Sequence, residues 1–597
     1  MRTFEQFFSE NEILRQLCKL RIKMAKSKSK KHLLHLLTSN SKYNYHQHLN
    51  KAPNNEFEKY QIDLTARLST ILPPRSKWVK LGEKSRRQRN QKDEFLSPND
   101  KNFYSLLKTI KIHKKQNSQE LWFLNLNKFI SEIKALSIDN AYSIETPIIF
   151  PKLKDPIKKI KQNECRPICI FSLTDRIILS LTNKFLTQLL DKYFQDSSYA
   201  FRAKRNQENF TLSHHDCIRD ILKYKNANKE QEFFVVECDM KKFYDTVNHK
   251  IANSLFDELI SQSIIESPET DFNAPVRIFK SYLNCFAFNI DIPSKNDLQY
   301  WASYKIPNGE FSWVDSIISE YYDDISKERI GVPQGGALSG LIANIYLNQA
   351  DVELAKTSVL YLRFCDDMII IHTNRIECEN AKARYIETLK NLKLFPHKFS
   401  LEQELIIITG DLNNQKSNFK PFWSGKSKGP YKWGNIRDNG FPWIGFVGYE
   451  IKFTGDIRIR KKSLEKELKK QKTIIKEIKD AIAIGMRKPK GSATESAVNR
   501  LIGMSVGRIG LNNFNEVSTD LCWKNGFQAL TINESSSRQV KQLDRNRSKQ
   551  YYKFLKSVKE PELEPKENEN RQIIKYNKPF SYFYQVLERP KKTSGQH

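Results

Sequence analysis

Asp366 and Asp367 stand side by side in YLRFCDDMIII, with an apolar run from Val359 to Phe364 before them and another from Met368 to Ile371 after. Two adjacent acids set against buried strands are costly unless a cation neutralises them. A third acid, Asp239, closes the apolar run Phe233, Phe234, Val235 and Val236 in FFVVECDMKKFYD. Carboxylates brought from two separate strand ends are hard-oxygen donors that suit Mg2+. In a pair of such ions, one activates an attacking oxygen and the other steadies a leaving oxygen. The plainer alternative for any one of these acids is a strand cap or a surface carboxylate. A third segment, GVPQGGALSGLIANIYL from Gly331 to Leu347, opens with three glycines in six residues. Its glycines let the backbone lie close to a ligand, and Gln334 offers an amide beside them.

These residues need particular elements beneath them. The runs on either side of Asp366 and Asp367 predict two strands of a hairpin with the acids at the bend. The run before Asp239 predicts a short strand with a helix after it. Leu338, Leu341, Ile342 and Ile345 predict an amphipathic helix fed by the glycine loop. Strands and helices in this mixture give an α+β fold.

In this order the three segments resemble the palm motifs of reverse transcriptases. RPICIFSLTDRIILS (Arg166 to Ser180) and DSSYAFRAKRN (Asp196 to Asn206) resemble finger motifs of the bacterial group II intron-like branch, and FVGYEI (Phe446 to Ile451) is similar to the primer-grip turn. The resemblance spans roughly residues 145 to 465. It implies a right-hand polymerase with fingers, an antiparallel-sheet palm and a helical thumb. It also implies an RNA-directed DNA polymerase in which Asp239, Asp366 and Asp367 are catalytic and hold two Mg2+ ions, with Mn2+ as a substitute and Met240 counted in the same metal site. By the same resemblance Tyr244 is the aromatic gate that crowds a ribose 2′-OH. Lys152, Arg166, Arg176, Gln334 and Gly335 fall at dNTP-binding positions, where guanidinium groups grip phosphate oxygens bidentately. Phe446, Val447, Gly448 and Tyr449 make up the primer grip.

The chain departs from the family at several points. Phe364 and Cys365 stand where tyrosine and alanine are common, and Gly340 where proline is common. Gln403 occupies the place of a lysine proposed to protonate the leaving pyrophosphate, which makes Lys398 a substitute to consider. Among relatives, the long N-terminal part, the palm insertion and the lack of a recognisable endonuclease domain resemble the bacterial defence-associated reverse transcriptases, and within them the larger polymerase of the type 3 systems. That resemblance implies antiphage activity with a non-coding RNA and a second, partner reverse transcriptase. A group II intron-type maturase and a catalytically silent RNA-binding module are the alternatives.

The 597 residues carry 99 Lys+Arg against 68 Asp+Glu, a net charge of +31. Such an excess fits RNA and DNA as partners, since neutralising phosphates releases counterions and dominates affinity. The nine cysteines include no CxxC pair, which speaks against a zinc module or a disulfide framework and suits a reducing cytoplasm. The N-terminus is no secretory signal, and no run approaches 18 apolar residues, so no membrane partner is expected. Homo- and hetero-oligomers both stay open.

Along the chain, residues 1–144 read as a basic helical extension with charge runs at Lys26 to Lys31 and Lys84 to Lys92. Fingers are expected over 145–225 and palm over 226–455, with an aromatic insertion at about 263–327 that should fold. A helical thumb follows over 456–558, beginning with a basic helix whose apolar stripe is Leu464, Leu468, Ile474 and Ile478. The last part, 559–597, reads as a proline- and acid-rich linker with an aromatic tail.

Overall fold

The computed structural model describes residues 2–36, 53–82, 98–154, 163–207, 209–295, 297–313, 318–400, 425–483 and 533–558, with shorter pieces at 96, 422, 493–494, 497, 500–501 and 527–531. Helix and sheet are mixed, as the sequence predicts. The chain forms two compact units that do not follow chain order. One is Met1–Gln16, Pro53–Leu72 and Glu120–Val447; the other is Leu17–Ala52, Pro73–Gln119 and Gly448–His597. Gln403, the charge run at 84–92 and the tail beyond 558 lie outside the described residues.

In the first unit, β1 (Ile148–Leu153) and β2 (Asn163–Ile170) form an antiparallel pair in which Lys152 is the partner of Arg166. The strand β3 (Phe233–Cys238) runs through the middle of the main sheet. A short β4 (Gly309–Glu310) from the aromatic insertion adds to β2 in parallel. β5 (Leu360–Phe364) and β6 (Asp367–His372) are the predicted hairpin. With β7 (Phe399–Ser400) and β8 (Ser427–Trp433) they complete a five-stranded sheet in the order β5-β6-β3-β8-β7, antiparallel except between β7 and β8. β9 (Trp443–Phe446) is the last strand of this unit.

The core lies under this sheet. Val235, Val236, Ile369, Ile370 and Ile371 are buried, and the helices Ser339–Ala355 and Arg375–Asn391 pack on the strands. Strands with no solvent face read as continuous apolar runs rather than alternating ones. The same burial corrects one expectation. The helix after the glycine loop is not amphipathic, because residues 341–348 are buried without a break. Its polar members, Asn344 and Asn348, are satisfied by hydrogen bonds inside the fold. The aromatic insertion is folded. Phe279 stacks on Phe256 at 3.7 Å between ring centroids, Phe288 stacks on Trp313 at 4.2 Å, and Tyr282 and Trp301 are buried.

Opposite the middle of β3, β8 carries one extra residue. Val235 pairs with Tyr431, but Glu237 pairs with Lys428, so two residues of β8 face Val236 alone. Gly429 sits there at φ 101°, and a Cβ would come within 2.3 Å of the Val235 carbonyl oxygen. Only glycine fits such a bulge.

In the second unit, β10 (Tyr449–Lys452) and β11 (Ile457–Ile459) pair antiparallel. The helices Lys461–Ala483 and Glu534–Val558 lie against each other. Leu464, Ile474, Ile475 and Ile478 bury one stripe of the first, and Val540, Leu543 and Phe554 one stripe of the second. Gln471 is buried within the seam and donates to the Leu543 carbonyl at 3.3 Å. The lysines Lys466, Lys472 and Lys476 stay in solvent.

Candidate active site

Asp239 follows the last residue of β3, where the ladder to β8 ends. Its amide donates to Ser427 Oγ (3.1 Å) and its carbonyl accepts from the His397 amide (3.0 Å) and from Ser427 Oγ (3.2 Å). The backbone is therefore fixed while the carboxylate stays half-buried. Cys238 pairs with Met368 across β3 and β6. One step further along that register puts Asp239 opposite Asp367, and directly opposite residues in an antiparallel pair share a face.

Asp366 belongs to the two-residue bend between β5 and β6. The preceding Cys365 adopts φ 62°, and Phe364 pairs with Asp367 across the bend. Burial raises the pKa of the Asp366 carboxyl above the ordinary carboxylate range, and the nearby Asp239 charge adds to the shift. Asp367 opens β6 and is exposed. The three acids named from sequence thus meet at one end of one sheet. Among the described residues, however, no three His, Cys, Asp or Glu side chains form a ready-made metal cluster.

The donor chemistry nevertheless fits a divalent ion. The carboxylates are hard oxygen donors, and Asp366 is held where its own charge is unfavourable, a situation that an added cation relieves. Lys426 supplies a cation at this point: its Nζ stands 3.3 Å from Asp239 Oδ2 and 3.0 Å from His397 Nε2. His397 is pushed down to about 4 by burial and by the Lys426 charge, so at neutral pH it is an uncharged neighbour. The Met240 side chain is buried, which leaves its backbone carbonyl as the group able to face a hard ion.

Tyr244 lies under the bend. Its hydroxyl and Cys365 Sγ are 3.0 Å apart, and burial pushes its phenol upward, so the ring stays neutral. Next to it, Asp245 is buried and raised to about 6 by desolvation, against the lowering effect of the Gln334 hydrogen bond and the charges of Lys242, Lys154 and Arg166. Gln334 Nε2 donates to Asp245 Oδ1 at 2.6 Å, while the Gln334 carbonyl accepts from the Cys169 amide of β2 at 2.9 Å. Gln334 therefore joins β2 to the segment after β3. Gly335 follows at φ 92°.

Arg166 is exposed on β2, with Lys152 across the ladder, and its charge reaches both Asp366 and Asp245. Arg176 is placed differently. Its Nη1 donates to the Tyr60 hydroxyl at 3.0 Å, and that hydroxyl donates to the Phe171 carbonyl at 2.9 Å. A guanidinium so engaged ties the helix Leu173–Leu190 to the helix Glu56–Ile71. Phe446 is buried at the end of β9, and Val447 (φ 39°) and Gly448 (φ 93°) make the left-handed turn that leads to Tyr449. Lys398 is exposed.

The sequence reading passes over four contacts of the site: Lys426 and His397 beside Asp239, the Asp245–Gln334 bond, and a buried pair between Arg363 and Asp351 (2.6 Å). For the last of these a signal exists. Arg363 interrupts an otherwise apolar strand, and Asp351 lies in a helix otherwise rich in apolar residues.

Residues 283–410 match the family described as Reverse transcriptase (RNA-dependent DNA polymerase). This stretch contains the Gly331–Leu347 segment, β5, β6 and the acid bend. No curated protein matches. Among solved structures, the chain is similar to telomerase from Candida albicans in complex with a TWJ fragment of telomeric RNA, at 13% identity and TM-score 0.30, covering 90% of this chain and 85% of that one. It is also similar to apo telomerase from Candida tropicalis, at 14% identity and TM-score 0.33, covering 77% and 72%.

Proposed function

We infer, for a chain that carries a reverse transcriptase domain and is an RNA-directed DNA polymerase, that synthesis takes place at the sheet end where Asp239, Asp366 and Asp367 meet. The observation that carries this reading is the register of β3 on β6, whose last pair, Cys238 with Met368, leaves Asp239 and Asp367 next in line with Asp366 at the adjoining bend. Reverse transcriptases generally use divalent metal ions; Mg2+ is proposed here, held by these three carboxylates with the Met240 carbonyl. When bound, two such ions lower the cost of the negative charge that develops at the attacking 3′-oxygen and at the departing pyrophosphate.

The chain's own groups do the rest. Arg166 and Lys152, exposed as cross-strand neighbours, are suited to the triphosphate, where fixed cations neutralise phosphate oxygens. The Tyr244 ring, packed beneath the bend, leaves little room for a 2′-hydroxyl and so favours deoxynucleotides. Gln334 and Gly335 are read as packing against the nascent base pair and its sugar. The turn Phe446–Tyr449 is read as the primer grip, and Arg176 as a support behind the triphosphate site. The fold is read as a right hand, with the helices Lys461–Ala483 and Glu534–Val558 as the thumb.

The narrower reading is a bacterial antiphage polymerase that works with a non-coding RNA and a partner reverse transcriptase. The long N-terminal part and the aromatic insertion at about 263–327 are what support it over the maturase alternative. Asp366→Ala with Asp367→Ala should lower nucleotide incorporation by at least about 10³-fold while RNA binding, followed by filter retention, stays within about twofold. Undiminished synthesis by that double variant would end the assignment. Sequencing the nucleic acids that copurify with the chain, before and after dNTP addition, tests the narrower reading. A recurrent small RNA with a complementary DNA product supports it, and random cellular RNA counts against it.

A further inference from the structure

The strand that leads into the acid bend has an arginine at its centre. Arg363 and Asp351 are each fully withdrawn from solvent, 0% exposed on both side chains. They are joined twice, Nε to Oδ1 at 2.7 Å and Nη2 to Oδ2 at 2.6 Å. Burying both charges costs so much desolvation that apolar residues of similar volume are often as good for stability. A pair of this kind therefore invites the question of what it positions.

The remaining donors of Arg363 answer it. Nη1 donates to the Cys365 carbonyl at 2.9 Å, and Nη2 donates to Ser198 Oγ at 2.8 Å. Asn344 Oδ1 lies 3.3 Å from each of these nitrogens, and Asn344 Nδ2 donates to the Ala200 carbonyl at 2.8 Å. The backbone joins in: the Arg363 amide donates to the Ser197 carbonyl (2.8 Å), and the Arg363 carbonyl accepts from the Tyr199 amide (3.0 Å). Tyr361 adds its hydroxyl to Asp351 Oδ1 at 2.9 Å. The network thus spans β5, the helix Ser339–Ala355 and the segment 197–200. It reaches the bend at the carbonyl of the residue that precedes Asp366.

That carbonyl belongs to a residue in the left-handed region, at φ 62°. Such a conformation is unfavourable for a side chain like cysteine and persists where the surroundings over-determine it. The carbonyl is part of the Cys365–Asp366 peptide plane. A donor that grips it from below fixes the direction in which the next side chain leaves the backbone.

We propose that Arg363, held by Asp351, is the positioning residue for Asp366: it locks the Cys365–Asp366 peptide so that the carboxylate points out of the bend in one direction. The inference rests on the reading of Asp366 as a catalytic acid. It predicts a loss that appears in kcat and not in binding.

The test is the double variant Arg363→Met/Asp351→Leu, which removes both buried charges and keeps the volume. In the full-length chain it should fold, shown by cooperative melting and an unchanged far-ultraviolet circular dichroism spectrum. It should bind a primer–template with unchanged Kd and dNTP with KM within about threefold, yet lose about 10²-fold in kcat, the scale expected when a reacting group is misplaced by about an ångström. Arg363→Lys keeps a charge against Asp351 but cannot also span to the Cys365 carbonyl. It should show the same split, and it serves if the double variant does not fold. A folded variant with kcat within twofold of wild type overturns the proposal, as does a change confined to KM or Kd. Asp366→Asn separates the two levels. If it remains active, the reading of the site fails; if it is inert while the Arg363 variants run at wild-type rate, only the positioning role fails.

Discussion

Two tight bends, the acid bend and the turn after β9, solve the same steric problem in different ways. Cys365 lies at φ 62° between β5 and β6, and Val447 at φ 39° leads into Gly448 at φ 93° after β9. At the second turn the composition bears part of the load: Gly448 tolerates its conformation without strain, and a Cβ there would meet nothing within 4 Å. The first bend has no glycine. It is held instead from inside, by the Arg363 bond to the Cys365 carbonyl and the buried ion pair behind it. One turn is eased by a glycine of its own, the other is held by distant residues. A bend that must present reactive groups has to be supported by its surroundings, because a glycine there would add the freedom the chemistry cannot use.

The largest way to break this contrast is Asp351→Ala. Removing one partner strands the Arg363 charge in the core and should cost about 3–5 kcal/mol of stability, measurable as a lowered midpoint in urea. A loss below about 1 kcal/mol would mean that the pair is not the inner support of the acid bend.

Asp245 sharpens the comparison, since it is a second buried acid near the bend whose direct partner, Gln334, is neutral. Its carboxyl is raised from 3.8 to about 6. Between these values the folded chain holds a proton that the unfolded chain has lost, so its contribution is fully present below about pH 4 and is lost as pH rises through about 6. Two pKa units correspond to ~3 kcal/mol. Asp245→Asn should therefore flatten the stability profile between pH 4 and 6, followed by thermal melting at a series of pH values. An unchanged slope would show that Asp245 is not the titrating group.

The smallest effect is expected at the second turn. Val447→Gly removes a β-branched residue from a left-handed conformation and should change stability by no more than about 1 kcal/mol in either direction, because relief of strain offsets the added freedom of the unfolded chain. A loss of several kcal/mol in urea unfolding would show that this turn too depends on packing.

How much of this was legible in the sequence depended on the kind of interaction. The hairpin around Asp366 and Asp367, the strand before Asp239 and the folded insertion follow from local apolar runs, and the structure has them. The helix after the glycine loop stands where the apolar spacing predicts it, but it is buried all round rather than amphipathic. Its apolar spacing does not reveal that Asn344 and Asn348 are also inside, since a buried asparagine with satisfied bonds looks like a surface one in sequence. The Asp245–Gln334 and Lys426–Asp239 contacts were out of reach, because each joins residues 89 or more positions apart through side chains that have no periodicity. Arg363 sat in view within an apolar strand. Only its partner, twelve residues earlier in a helix, tells why it is there.

The extra residue in β8 has a consequence for Asp239. With the shifted register, Glu237 faces Lys428, and two more steps bring Lys426 alongside Asp239. Were the strand regular, the same count would deliver Ser427 to that place and point the ammonium toward the opposite side of the sheet. The kink at Gly429 thus acts as a phase adjuster: the one extra amino acid it accommodates decides which chemical group greets the first acid, without altering any residue near it.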